Sequence, residues 1–177
     1  MYDIIGDIHG YADQLKQLLS KMGYSEEKGL WRHPERKAIF VGDFIDRGPA
    51  IKEVLSIVRN MLENNQALAV MGNHEYNAIA YNHQREDGSF LRSHNPTHTK
   101  QHQATLAQFA DAKEEWKDWI NWFKSLPLFL DLGDIRIVHA CWDQDHINWL
   151  NSNYSGKLTD QLLVAAHNKG GISHRWF

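Results

Sequence analysis

Several residues in the first 140 positions combine the types and spacings that hold divalent metal ions. Asp7, Asp43 and Asn73 each follow a glycine, His9 lies two residues after Asp7, and His139 closes the apolar pair Ile137-Val138. Carboxylates, imidazoles and an amide oxygen together suit divalent first-row metals. One carboxylate can bridge two ions, and two metals about 3.5–4 Å apart clamp a phosphoryl group and make hydroxide near neutral pH. The neighbours of these ligands extend the same chemistry. Arg47 follows Asp43 closely enough to reach such a phosphoryl group, and its guanidinium fork fits two oxygens. His74 adjoins Asn73, so its imidazole can protonate a leaving oxygen. Asp46 can hold that imidazole in the required orientation and tautomer. The expected chemistry is hydrolysis at phosphorus, with His74 and Asp46 catalytic, Arg47 on the substrate, and Asp7, His9, Asp43, Asn73 and His139 on metal.

These residues need a scaffold that brings them together. Residues 2–5, 37–41 and 67–71 read as short apolar strands, and each runs into Gly-Asp or Gly-Asn. Between them, Leu15, Leu18, Leu19 and Met22, then Ile51, Val54, Leu55, Val58 and Leu62, recur at helical spacing. Strand, helix, strand, helix, strand with short connections predicts an α/β fold with a parallel sheet. Ligands of open α/β sheets bind outside the carboxyl ends of the strands, so the four strand ends converge on one edge.

Beyond residue 82 the pattern changes. Residues 82–103 are polar, contain Pro96, His94, His98 and His102, and read as an insertion in a single domain spanning 1–177. Pro96 argues against one helix carrying the three histidines, so a solvated loop is expected, with a lid over the site as the functional alternative. Residues 105–124 predict one continuous helix whose Trp116, Trp119, Trp122 and Phe123 form a core stripe rather than a base-stacking platform. Residues 127–132 and 135–138 predict a hairpin turned at Gly133-Asp134, followed by helices over 144–150 and 159–167. Cys141 is expected to be a small buried residue beside the site.

The bulk properties narrow the partners. A formal net charge of -3 over 177 residues gives no field attractive to nucleic acid or anionic membrane. The beginning of the chain lacks the basic start and apolar core of a signal peptide, and no apolar run reaches the ~18 residues of a membrane span. A lone cysteine suits a reducing compartment, so a cytoplasmic location is expected.

Gly6-Asp7-Ile8-His9-Gly10, the run from Gly42 to Pro49, Gly72-Asn73-His74-Glu75, and Val138-His139-Ala140 resemble the motifs of the calcineurin-like metallophosphoesterases. The likeness covers roughly residues 1–142 and is nearest the branch of serine/threonine phosphoprotein phosphatases and symmetrical dinucleoside tetraphosphatases. It implies an αββα sandwich of two mixed β-sheets flanked by helices. It also implies two divalent cations, with Mn²⁺ favoured and Fe or Zn compatible. Asp7, His9 and Asp43 would hold one ion, and Asp43, Asn73 and His139 the other. A metal-bridging hydroxide would attack phosphorus in line, with Arg47 on the phosphoryl oxygens and His74, supported by Asp46, protonating the leaving group. The substrate would be a phosphorylated small molecule, a nucleotide such as a dinucleoside polyphosphate, or a phosphoprotein. The family pattern adds a later histidine in a Gly-His strand end, and neither His167 nor His174 follows glycine. Either the chain is a C-terminally shortened form or fragment, or water or another histidine completes the second metal's shell, and a non-catalytic metal- or phosphate-binding module stands as the alternative function.

Overall fold

The computed structural model describes residues 1–167. In chain order the first half contains β1 (Tyr2–Ile5), α1 (Ala12–Lys21), β2 (Ser25–Glu27), β3 (Leu30–Arg32), β4 (Lys37–Phe40), α2 (Ile51–Glu63), β5 (Ala67–Ala69) and α3 (Asn73–Asn82). The second half contains α4 (Pro96–Gln101), α5 (Gln103–Gln108), α6 (Lys113–Ser125), β6 (Phe129–Asp131), β7 (Arg136–Val138), α7 (Gln144–Tyr154) and α8 (Asp160–His167).

The three apolar runs form one parallel sheet in the order β1-β4-β5. Alternation along β4 divides the interior. Phe40 and Ala38 belong to the main core with Ile5, whereas Ile39 joins Val70 and Ile137 of β7 in a second, smaller core. On the first side, α2 buries Ile51, Val54, Leu55, Val58 and Met61, one stripe at helical spacing. Each such side chain contributes about 1.5–3 kcal/mol when fully removed from water. Helix α1 adds Ala12, Leu15 and Leu19. On the second side, the antiparallel pair β6–β7 supplies a β-layer through Ile137. Helices, a parallel sheet and a second β-layer make up the expected layered α/β fold. The second layer is narrow among the described residues. Ile4, paired in register with fully buried Ile39, is 55% exposed.

Three local expectations change. The hairpin β2–β3 was not foreseen, because Ser25–Glu27 is exposed on both faces and carries no alternation. The continuous helix over 105–124 is two helices, α5 and α6, with the break at 109–112. Each half answers to a different neighbour: α5 presents Thr105 and Gln108 to the loop entering α2, and α6 buries Trp116, Trp119, Ile120 and Phe123 in the core. The segment 82–103 is partly ordered. Pro96 starts α4 instead of interrupting it, with Asn95 accepting a hydrogen bond from the His98 backbone N–H at 2.8 Å. No helix among the described residues is long and apolar enough to cross a membrane.

Candidate active site

The loops after β1 and β4 are joined by backbone hydrogen bonds. The N–H groups of Ile8 and His9 donate to Asp43 O at 3.0 and 2.8 Å, and Gly48 N–H donates to His9 O at 2.7 Å. The loop after β5 closes on them through glycine, since a side chain at Gly42 (φ 92°) would collide with the Gly72 backbone. Glu75, fully buried in α3, fastens all three segments. Its carboxylate accepts the N–H groups of Asp43 and Phe44 at 2.8 Å each and of Gly72 at 3.1 Å. Burial, then the Asp43 charge, push the Glu75 carboxyl up to about 7, against the pull of those three donors. Within this frame four non-glycine residues adopt left-handed backbone: His9 (φ 49°), Asp43 (55°), Asp46 (68°) and Arg47 (63°). Such conformations are strained for L-residues and persist only where the surroundings enforce them.

The frame points donor atoms at one spot. Asp43 Oδ1 accepts the His74 backbone N–H at 2.9 Å, which turns Oδ2 outward. Oδ2 then lies 3.7 Å from His9 Nε2 and 3.5 Å from His139 Nε2. His9 Nδ1–H donates to Ile45 O at 2.8 Å, and His139 Nδ1–H donates to Val41 O at 2.7 Å. A carbonyl can only accept, so each ring carries a proton on Nδ1, and it is Nε2 that is left to offer a lone pair to a metal. His9 Nε2 is buried without a hydrogen-bond partner and lies 3.7 Å from Asp7 Oδ2 as well. His139 Nε2 also faces Asn73 Oδ1 at 2.9 Å. Lone pairs and carboxylate oxygens pointed at one another repel unless a cation lies between them, so these residues fit divalent metal. The donor atoms of Asp7, Asp43 and His139 lie within 4.8 Å of one another, as do those of His9, Asp43 and His74.

His74 differs from the other two histidines. Its Nδ1 faces Asp46 Oδ2 at 2.5 Å, a carboxylate in place of a carbonyl. Burial lowers the His74 pKa, but the Asp46 hydrogen bond and the charges of Asp43, Asp46 and Glu75 outweigh it, so the net shift is upward. An imidazolium has no lone pair for a metal and has a proton to give. Asp46 is not a helix cap, since Ala50 occupies the N-cap of α2. Its other oxygen accepts His102 Nδ1–H at 2.7 Å and the Thr105 hydroxyl at 2.5 Å, and its own N–H donates to Thr105 Oγ1 at 3.0 Å. Burial pushes the Asp46 carboxyl up, but the hydrogen bonds from His102, His74 and Thr105 and the His102 charge hold it well below the usual carboxylate range.

The structure thus brings Asp7, His9, Asp43, Asn73, His74 and His139 around one point, with Asp46 behind His74. Arg47 is exposed and lines a cavity of about 970 Å³ beside Asp46, Asn73 and His74. His102 and Thr105, not singled out from the sequence as parts of the site, are buried within it. Their one sequence signal is a spacing of three that shares a helix face, and nothing in it names Asp46 as the partner. Three further histidines have other partners. His94 stacks on Tyr81 at 3.8 Å, His98 binds Ser93 O at 2.9 Å, and His167 meets the Tyr76 hydroxyl at 3.0 Å. His174 lies outside the described residues. Cys141, expected to be buried, is exposed, because the turn after β7 carries it to the surface.

The family model for calcineurin-like phosphoesterases matches residues 2–174. The chain belongs to that family. Among similar proteins is the asymmetrical bis(5'-nucleosyl)-tetraphosphatase PrpE of Anoxybacillus flavithermus, 33% identical over 159 residues, which are 85% of this chain and 61% of that protein. The PrpE of Bacillus velezensis is 32% identical over 165 residues, 92% of this chain and 63% of that protein. The chain therefore spans about three-fifths of the length of these relatives. A cold-active protein tyrosine phosphatase of a psychrophilic Shewanella species shares the fold, with TM-score 0.57 at 20% identity, over 98% of this chain and 50% of its own. The calcineurin-like architecture is thus shared by proteins named for different phosphate substrates.

Proposed function

We propose that this calcineurin-like chain carries the centre of a two-metal hydrolase for phosphate esters or phosphoanhydrides. The observation that carries the reading is the pair of Nε2 lone pairs, on His9 and His139, aimed with Asp7 and Asn73 at Asp43 Oδ2. Asp7, His9 and Asp43 would hold one ion and Asp43, Asn73 and His139 the other. When bound, such ions polarise phosphoryl oxygens and make hydroxide available near neutral pH. The chain's own groups do the rest. The Arg47 guanidinium grips two phosphoryl oxygens in the cavity mouth. His74, held protonated by Asp46, gives its Nε2 proton to the departing oxygen. Buried Asp46 stays ionised, fixes the ring through Nδ1 and stabilises its charge. Phosphoanhydrides of the dinucleoside polyphosphate type are the favoured substrates, in keeping with the names of the relatives.

The test is to strip the protein with chelator, titrate Mn²⁺, and follow p-nitrophenyl phosphate hydrolysis while counting bound metal per chain. Two ions with turnover are expected, and both should be lost in Asp43→Asn. Metal uptake that survives Asp43→Asn would refute the shared-ligand reading. Two ions bound with no turnover would favour a metal-binding module instead.

A further inference from the structure

Three cations line the cavity next to His74, and none has a carboxylate partner. Arg47, Arg92 and Lys100 take part in no ion pair among the described residues, whereas Arg32, Arg36, Arg59 and Arg136 each have one. Asp46 is the one carboxylate lining the cavity among the described residues, and both of its oxygens are engaged by His74, His102 and Thr105. Among the described residues the cavity walls therefore carry three cationic side chains against one carboxylate.

Arg92 is held in a manner suited to an anion. Its Nη1 donates to Asn77 Oδ1 at 2.9 Å and its Nη2 to Gln101 Oε1 at 2.8 Å. Both partners are neutral amides, so they orient the guanidinium without cancelling its charge. Of its five N–H groups, three remain for a ligand. Burial pulls the Arg92 pKa below its ordinary value, with only the Asp46 charge opposing. Asn77 stands four residues along α3 from Asn73, a rise of about 6 Å, so Arg92 is anchored farther along the same helix from the metal-facing end. Lys100, on α4, is exposed and its side chain makes no hydrogen bond or ion pair among the described residues, so the fold does not depend on its charge.

We propose that Arg92 and Lys100 form a subsite for a phosphate that does not react, farther along the chain from the phosphate held at Arg47 and His74. The subsite rests on the proposed hydrolytic centre and assigns the role of separating oligophosphates from simple monoesters to residues of the 82–103 segment. It recognises the phosphate chain itself, whether inorganic or carried by a nucleoside.

Calorimetric titration of the metal-free protein with orthophosphate, pyrophosphate and tripolyphosphate tests the subsite without turnover. The wild-type chain should bind more tightly along that series. Arg92→Gln and Lys100→Gln should each shrink the tripolyphosphate-to-orthophosphate affinity ratio by about tenfold, the scale of a charge-assisted contact, and Arg92→Lys should recover part of it. If Arg92 were only a strut between α3 and α4, Arg92→Gln would weaken all three ligands alike and Lys100→Gln would change nothing; either result overturns the subsite. A flat series in the wild-type chain overturns it too. A nucleoside triphosphate bound as tightly as tripolyphosphate assigns recognition to the phosphates alone, and tighter binding adds a base contact; both keep the subsite. Absence of Mn²⁺-dependent hydrolysis would sink the catalytic reading while the affinity ratios still decide this one.

Discussion

Thr105→Val should destabilise the protein far more than a single lost methyl-sized polar group usually does. Thr105 is fully buried, accepts the Asp46 N–H at 3.0 Å, and donates to Asp46 Oδ1 at 2.5 Å. Valine keeps the shape and removes both bonds. The Asp46 N–H, buried on a left-handed residue, is then orphaned at about 1–3 kcal/mol. The charge-assisted bond to Oδ1 adds about 1.5 kcal/mol, at the lower end because His102 still serves that oxygen. The new methyl returns about 0.8 kcal/mol. The net loss is about 2–4 kcal/mol against a typical total of about 5–15 kcal/mol, to be read as the urea midpoint of metal-free protein. Thr105→Ser should recover most of it. Ser56→Ala, which removes an exposed hydroxyl bonded to Lys52 O, is the control and should stay within about 0.5 kcal/mol. A Thr105→Val protein as stable as that control would refute the claim that this hydroxyl pins Asp46.

Two further outcomes follow from the same geometry. His74→Asn should keep its bound metal and slow hydrolysis of a poor-leaving-group phosphate by about 10²–10⁴-fold, with a smaller effect on p-nitrophenyl phosphate; equal losses on both substrates would remove the proton-donor role. Glu75→Gln puts an NH₂ among three backbone donors, so denaturation should show a loss of at least about 1–3 kcal/mol, and Mn²⁺ uptake should weaken because the Asp43 loop is no longer fastened. Unchanged stability and uptake would mean that the carboxylate does not organise the loops.

The parts legible in the sequence were those whose reason is local. β1, β4 and β5 are short apolar runs closed by Gly-polar pairs, and the α2 stripe repeats at helical spacing, so strand ends and ligand positions could be read together. The contacts around Asp46 were not local. His102 and Thr105 meet it across 56 and 59 residues, from a stretch whose polarity looked like that of any solvated loop. The helix break at 109–112 has no glycine or proline to announce it and answers to two sets of tertiary contacts. Glu75 closes the Gly72-Asn73-His74 motif with nothing in the sequence to name its partners, and only the closure of three loops reveals what it binds. Pro96 is an obstacle to a helix running through His94, yet the same ring is well suited to begin one.

The left-handed backbone at residues 46 and 47 has a consequence for how this sequence can drift over generations. Glycine would sit in those conformations more easily, and the Arg47 side chain is exposed with no hydrogen bond or ion pair among the described residues. Folding alone gives position 47 no reason to remain arginine; its proposed use on a ligand would. A lineage released from selection for phosphate chemistry should therefore lose Arg47 early and keep Glu75 late, because the buried carboxylate serves the architecture whatever the centre is used for. The two positions form an inherited gauge, one recording use and the other recording shape.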